Sequence, residues 1–256
     1  MIDRFSMIDR VVQTRVVQRL RAAARDAATS ELSVLRQQRG RARQIRTAID
    51  DLLHVAEDRL ALPKIGSNVF PKPPGTRWSW RPPQWRGPVM PRGIAGIENA
   101  ATLGAGLKVF HDCKVSELTL RQIRNCREED LAAYGVTLDV LGFDGSFLSV
   151  VVDLPPEASD GLRRRDIIRL HGLIDAERPA TVFARLNIKC GPNTAQLVEE
   201  ISVSETNVTA DFDLAYAELN ENRIDSMWLD LILENPAMNQ MRIRDLTFCR
   251  YPRAEV

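Results

Sequence analysis

The sequence predicts an all-β sandwich, antiparallel and jelly-roll-like, preceded by an N-terminal α-helical segment. Three observations carry that reading. Residues 1–62 contain no proline and one glycine, Gly40, with apolar residues at helical intervals. Residues 63–93 collect eight of the fourteen prolines, four glycines and three of the four tryptophans. From about residue 100 the apolar period shortens to two, and segments of this kind recur every 10–16 residues between turn formers. The chain is accordingly read as a basic amphipathic helical segment (1–62), an arm rich in proline, glycine and tryptophan (63–99), and a β-sandwich (100–256).

In the helical segment, Ile8, Val12, Val16 and Leu20 recur every fourth residue. Leu35, Ala42, Ile45, Ile49, Leu52, Ala56 and Leu60 hold a second stripe, with Arg36, Arg39, Arg41, Arg43 and Arg46 mostly off it. Thr29 and Ser30 are candidate caps for a break between two helices. Unbroken, about 60 helical residues at ~1.5 Å each would form a rod of roughly 90 Å, which cannot bury its own stripe. Pro63 ends the helix because it has no N–H and turns Leu62 away from helical angles. Prolines at the density of the arm exclude a helix or a central strand there. Large indole rings gain nothing in a solvated linker, so the arm should pack on the second half.

The alternating segments LKVFHDC, ELTLRQI, VTLDVLGF, SFLSVVVDL, DIIRLHGLID, TVFARLNIKC, LVEEISVS, NVTADFDLAY, SMWLDLILE and MRIRDLTFC give nine or ten strands. No helix-length pattern lies between them to serve as a parallel crossover, so the sheets should be antiparallel.

The net charge of +1 is a sum of unlike halves: residues 1–100 hold 18 basic and 9 acidic side chains, residues 101–256 hold 17 and 25. No apolar run approaches the roughly 18 residues a membrane span needs. The arginine-studded N-terminus lacks the apolar core of a signal peptide. Four scattered cysteines do not make a disulfide scaffold. A cytoplasmic location is expected, with a virion-associated one as the variant.

Several strings occur in order: Phe110-His111-Asp112-Cys113, residues 120–125, residues 143–149, Ala184-Arg185-Leu186-Asn187, Gly191-Pro192-Asn193-Thr194, residues 212–216 with Asn220-Glu221, and Trp228-Leu229-Asp230-Leu231. With the Trp78/Trp80/Trp85 arm they resemble an uncharacterised bacterial family, a domain of unknown function, from about residue 40 to the C-terminus. That resemblance implies no activity and no catalytic residue. The last strands, residues 227–234 and 241–248, resemble the closing pair of galactose-binding-like carbohydrate-binding jelly rolls, where an aspartate often sits between apolar residues.

His111 and Cys113 share one strand face and, with Cys126, have the residue types of a metal site or a Cys–His pair, but no metal-motif spacing accompanies them. No metal and no cofactor is expected, and a hydrogen-bonded strand histidine is the plainer reading. Asp139, Asp144, Asp153, Asp211, Asp213, Asp230 and Glu234 are the carboxylates a glycosidase would draw its pair from. Phe143-Asp144-Gly145-Ser146 reads more simply as a hairpin turn, and Arg163-Arg164-Arg165 as solvated surface. Trp78, Trp80 and Trp85, with Arg77 and Arg81 beside them, suit either stacking on a sugar or latching the arm to the sandwich. Asp144, Arg185 and Asn187 complete the candidate ligand-binding set.

The function expected is a non-enzymatic binding or structural module. Its sandwich recognises a glycan or a protein surface, and its helix serves oligomerisation or attachment, as in a phage-like spike subunit. Two alternatives differ in class. One is a peripheral membrane protein attached through residues 1–25, which carry six arginines and two aspartates. The other is a glycan-active enzyme. Nucleic acid is not the expected partner, since the arginine face has no interleaved aromatics.

Overall fold

The computed structural model describes residues 7–60, 69–127, 129–203, 206–221 and 223–253. The chain divides into two compact units, Met1–Asp51 and Leu52–Val256. Two helices, α1 (Met7–Asp26) and α2 (Leu32–Leu60), are separated by a short turn. Thr29 and Ser30 sit at that break, and both hydroxyls donate to the Asp26 carbonyl, at 3.3 and 2.8 Å. They close α1 rather than open α2, because the last carbonyls of a helix have no intrahelical partner. Leu20, Ala23, Ala27, Leu35, Ala42 and Ile45 line a shallow groove of about 450 Å³ near the turn.

The second unit is an antiparallel sandwich. Its strands are β1 (Trp78–Trp80), β2 (Gly93–Ala95), β3 (Ala101–Thr102), β4 (Leu107–His111), β5 (Leu118–Arg124), β6 (Tyr134–Val140), β7 (Leu148–Asp153), β8 (Asp166–Ala176), β9 (Thr181–Cys190), β10 (Asn193–Ser202), β11 (Asn207–Asp213), β12 (Ser226–Leu233) and β13 (Asn239–Pro252). One sheet has seven strands in the order β11-β8-β13-β6-β5-β2, with β1 also on β13; the other has six, β10-β9-β12-β7-β4-β3. Alternation decides the faces. Leu107 and Val109, Val150 and Val152, Leu229 and Leu231, and Leu186 and Ile188 turn inward from the six-stranded sheet. They meet Ile168, Leu170, Val136, Leu138 and Phe248 of the other. Each such side chain contributes about 1.5–3 kcal/mol by leaving water.

The arm is a closing strap with structure of its own. Its one helical turn, α3 (Pro83–Arg86), starts on Pro83, where the missing N–H has no hydrogen bond to lose. The proline density had predicted no helix here, and position within the helix is the reason it fails. Strand β1, likewise unexpected, pairs with the interior strand β13 from Trp78↔Arg250 to Trp80↔Phe248. Strand β13 frees that edge by leaving β6 after Ile243, where its pairing with β8 also slips by a bulge before Asp245. The sequence showed neither β2 nor β3, which are three and two residues long.

Candidate functional site

The inward side chains of the six-stranded sheet leave an outward set, which the register arranges in rows. Phe183, Ile232, Ser149 and Phe110 lie side by side across β9, β12, β7 and β4. The next row is Val198, Arg185, Asp230, Val151, Lys108 and Thr102, and the third is Gln196, Asn187, Trp228 and Asp153. Phe110, Phe183, Trp228 and Ile232 stay partly exposed. Phe110, Trp228 and Ile232, with Phe147 at 42% exposure, border a groove of about 600 Å³ whose lining also includes Lys108, Asp153, Arg185 and Asp230.

The polar groups of this face are fixed to one another. Arg185 Nε and Nη2 donate to Asp230 Oδ2 at 2.9 and 2.6 Å. Asn187 Nδ2 donates to the same oxygen at 3.1 Å, and its Oδ1 accepts from Gln196 Nε2 at 3.0 Å. Lys108 Nζ donates to Asp153 Oδ2 at 2.6 Å. The floor therefore presents donors and acceptors already held in place, in pairs whose formal charges cancel.

At one end of the groove the loop of residues 141–147 is tied to the end of β4. Asp112 accepts from Ser146 N (2.6 Å), Ser146 Oγ (2.6 Å) and Phe147 N (3.2 Å). The Ser146 hydroxyl, above all, lowers the Asp112 pKa, and the Phe147 and Ser146 amides add to this against a smaller desolvation cost. His111 spends both ring nitrogens locally: Nε2 meets Ile97 O at 2.8 Å, and Nδ1 accepts from Cys113 N at 3.1 Å. That network assigns the proton to Nε2 and leaves no lone pair for a ligand. Burial pushes the Cys113 thiol up, away from thiolate chemistry. Among the described residues no three His, Cys, Asp or Glu side chains gather as metal ligands.

Of the candidate ligand-binding set, only Arg185 and Asn187 belong to the groove face; the candidate carboxylates Asp153 and Asp230 lie there too, each held by a basic side chain. Asp144 lies in the tied loop, where its Oδ1 accepts from Lys114 N at 3.1 Å. Trp85 is fully buried in the core, and its Nε1 donates to Ile243 O at 2.9 Å, so it offers no face to a ligand. Arg81 is likewise interior, holding Asp245 through two bonds of 2.8 Å. Trp78 and Trp80 stack on each other at 6.5 Å and pack against the core, with Trp80 5.7 Å from Phe248. Arg77 stands 3.7 Å from Asp166. Of the candidate carboxylates, Asp211 is gripped by Arg169, and Asp213 accepts from Ala215 N at 3.0 Å and faces Arg253 at 3.4 Å. Phe110, Phe183, Trp228, Lys108 and Phe147 were missed as site residues. For the four strand residues the signal was parity, since they occupy the positions between the core-facing ones; Phe147, in the loop before β7, carried no such signal.

The chain belongs to a family of unknown function, DUF6478, whose model matches residues 1–256. No curated protein matches it. Among solved structures it is similar to the family 11 carbohydrate-binding module of Clostridium thermocellum, solved with a β-1,3-1,4-mixed-linked tetrasaccharide. The identity is 11%, coverage is 64% of this chain and 97% of that one, and the TM-score is 0.40. It is similar to the enzymatically active domain of bacteriophage CBA120 tailspike protein 4 at 9% identity, over 60% of this chain and 21% of that one, with a TM-score of 0.40. It is also similar to the CBM22-1 xylan-binding domain of Xyn10C from Paenibacillus barcinonensis at 11% identity, over 63% and 94%, with a TM-score of 0.35.

Proposed function

We propose that the chain is a saccharide-binding module whose platform is the outer face of the six-stranded sheet. One observation carries this reading: Trp228, Phe110 and Phe183 keep partly exposed rings on that face beside the Arg185–Asp230–Asn187 array. A sugar ring is amphipathic. Its C–H face buries well against an aromatic ring, while its hydroxyl edge needs donors and acceptors together. A carboxylate and a guanidinium held side by side supply both, and their prior fixation reduces the ordering cost of binding. Because Arg185 is matched by Asp230 and Lys108 by Asp153, the floor suits neutral sugars.

A glycan array on the full chain, followed by calorimetry, tests the platform. Trp228→Ala should weaken binding by about tenfold or more, the equivalent of 1.4 kcal/mol. Absence of binding across neutral β-linked glycans, or equal affinity in the variant, sinks the reading.

The helical unit we assign to multimerisation. Val16, Val17, Leu20, Ile45 and Ile49 are exposed, which favours a partner helix over solvent. Joining several platforms would raise avidity without any new contact. Light scattering should give a multimer that Ile45→Glu with Ile49→Glu reduces to a monomer. Flotation with anionic vesicles by an otherwise monomeric chain would instead favour membrane attachment.

A further inference from the structure

We infer that the groove continues past the sheet into a second cleft, with Phe147 as the wedge between them, so that the site takes an extended oligosaccharide rather than a single terminal sugar. This rests on the saccharide reading above and deepens it. The second cleft has a volume of about 610 Å³ and lies at the strand ends, between the loop of Phe143, Ser146 and Phe147 and the turn of Glu234 and Asn235. Phe147 and Ile232 line both clefts, which sets the two spaces side by side. The row from Arg185 through Asp230 and Val151 to Lys108, all of it in the first groove, crosses three strand gaps, about 14 Å at the usual spacing. That span already exceeds one ring, and the second cleft adds to it.

The wedge is built to stay put. Beyond the three bonds to Asp112, Glu117 Oε2 accepts from Gly142 N at 2.7 Å, and Asp144 ties the loop to Lys114 N. Gly145 lets the loop lie against the residues that follow β4, because a Cβ there would come within 2.5 Å of Asp112 Oδ1 and 3.0 Å of Cys113 N. A single exposed phenylalanine is ordinary on a protein surface. One carried on a loop with five side-chain tethers, at the junction of two clefts, is placed to guide a chain. The lining changes at that junction as well. The platform offers paired charges, whereas the second cleft offers the Ser146 hydroxyl and the exposed Glu234 carboxylate, which accept from sugar hydroxyls. Phe147 is then a specificity residue for chain length, and Asp112 is the positioning residue that acts through it.

The test is calorimetry on the full chain with β-linked gluco-, xylo- and manno-oligosaccharides from the disaccharide to the hexasaccharide. Affinity should rise about tenfold or more along the best series. Phe147→Ala should flatten that rise, weakening the hexasaccharide several-fold more than the disaccharide. Asp112→Asn should flatten it too, and Ser146→Ala should do so in part. Each variant's melting temperature is measured alongside, because an effect confined to long ligands in a protein of unchanged stability is not a folding defect. A flat wild-type series, or an equal rise in Phe147→Ala, overturns the two-cleft site. The platform would survive that result if Trp228→Ala still weakened binding by about tenfold or more. No binding by any oligosaccharide overturns the platform and the extension together.

Discussion

At the scale of single residues, the tethers show how charge is spent on shape. Asp112 has its pKa lowered chiefly by the Ser146 hydroxyl, so it binds its proton less readily in the folded chain than in the unfolded one. A depressed carboxyl pKa gives stability that is present above the unfolded value and lost as pH falls through the lower folded value. The loop should therefore stay pinned down to the ordinary aspartate value of 3.8 and loosen only beneath it. Carboxyl NMR should place the Asp112 midpoint below 3.8, and a midpoint at or above it would remove the tether. Arg81 makes a harsher case. It is 3% exposed and bonded twice to Asp245, so Arg81→Ala strands a buried carboxylate. That change should cost about 3–5 kcal/mol in urea unfolding. Neither pairing was legible in the sequence, because Arg81 and Asp245 stand 164 residues apart and no local pattern joins them.

At the scale of elements, the sequence spoke most clearly where a period repeats. Strands β4 to β13 were read from alternation, and α1 and α2 from the stripe of Val16, Leu20, Leu35, Ile45 and Ile49. Strands β2 and β3 were not, since two or three residues hold no period; they exist because β5 and β4 offer them an edge. The strap escaped for a different reason. Its order comes from tertiary partners: Gln84 Nε2 donates to Leu103 O and Ala105 O, and Gln122 Nε2 donates to Gln84 O and Gly87 O. The same limit applies to the groove. Parity marks which strand residues face outward without marking them as a site, and only the register sets Trp228 beside Asn187 and Arg185 beside Asp230. Helix α2 allows a clean test of propensity. An added Cβ at Gly40 meets nothing within 4 Å, so Gly40→Ala is free of packing effects. It should stabilise α2 by about 0.8–1 kcal/mol, seen as slower amide exchange around residue 40. Unchanged exchange would mean that α2 is held by something other than its own backbone.

At the scale of the whole molecule, four tryptophans divide into two kinds, and their division separates stability from function. Trp85 ties the strap to β13 across 158 residues of sequence and is fully buried. Trp85→Ala removes a core ring and leaves the Ile243 carbonyl without that donor, at a cost of about 3–5 kcal/mol. For a β-domain of this size that lowers the melting temperature by roughly 6–20 °C. Trp228 lies on the outer face with its ring partly exposed, and its neighbours Asn187 and Asp153 have other partners. Trp228→Ala should leave the melting temperature nearly as it was and weaken saccharide binding by about tenfold or more. The two variants thus form a crossed pair: thermal unfolding should separate Trp85→Ala from the parent, and oligosaccharide calorimetry below the melting temperature should separate Trp228→Ala. If Trp85→Ala lost binding while still folded, the strap would have to belong to the ligand site. If Trp228→Ala unfolded early, the outer face would be part of what holds the sandwich together, and the groove would lose its claim to be a surface kept open for a ligand.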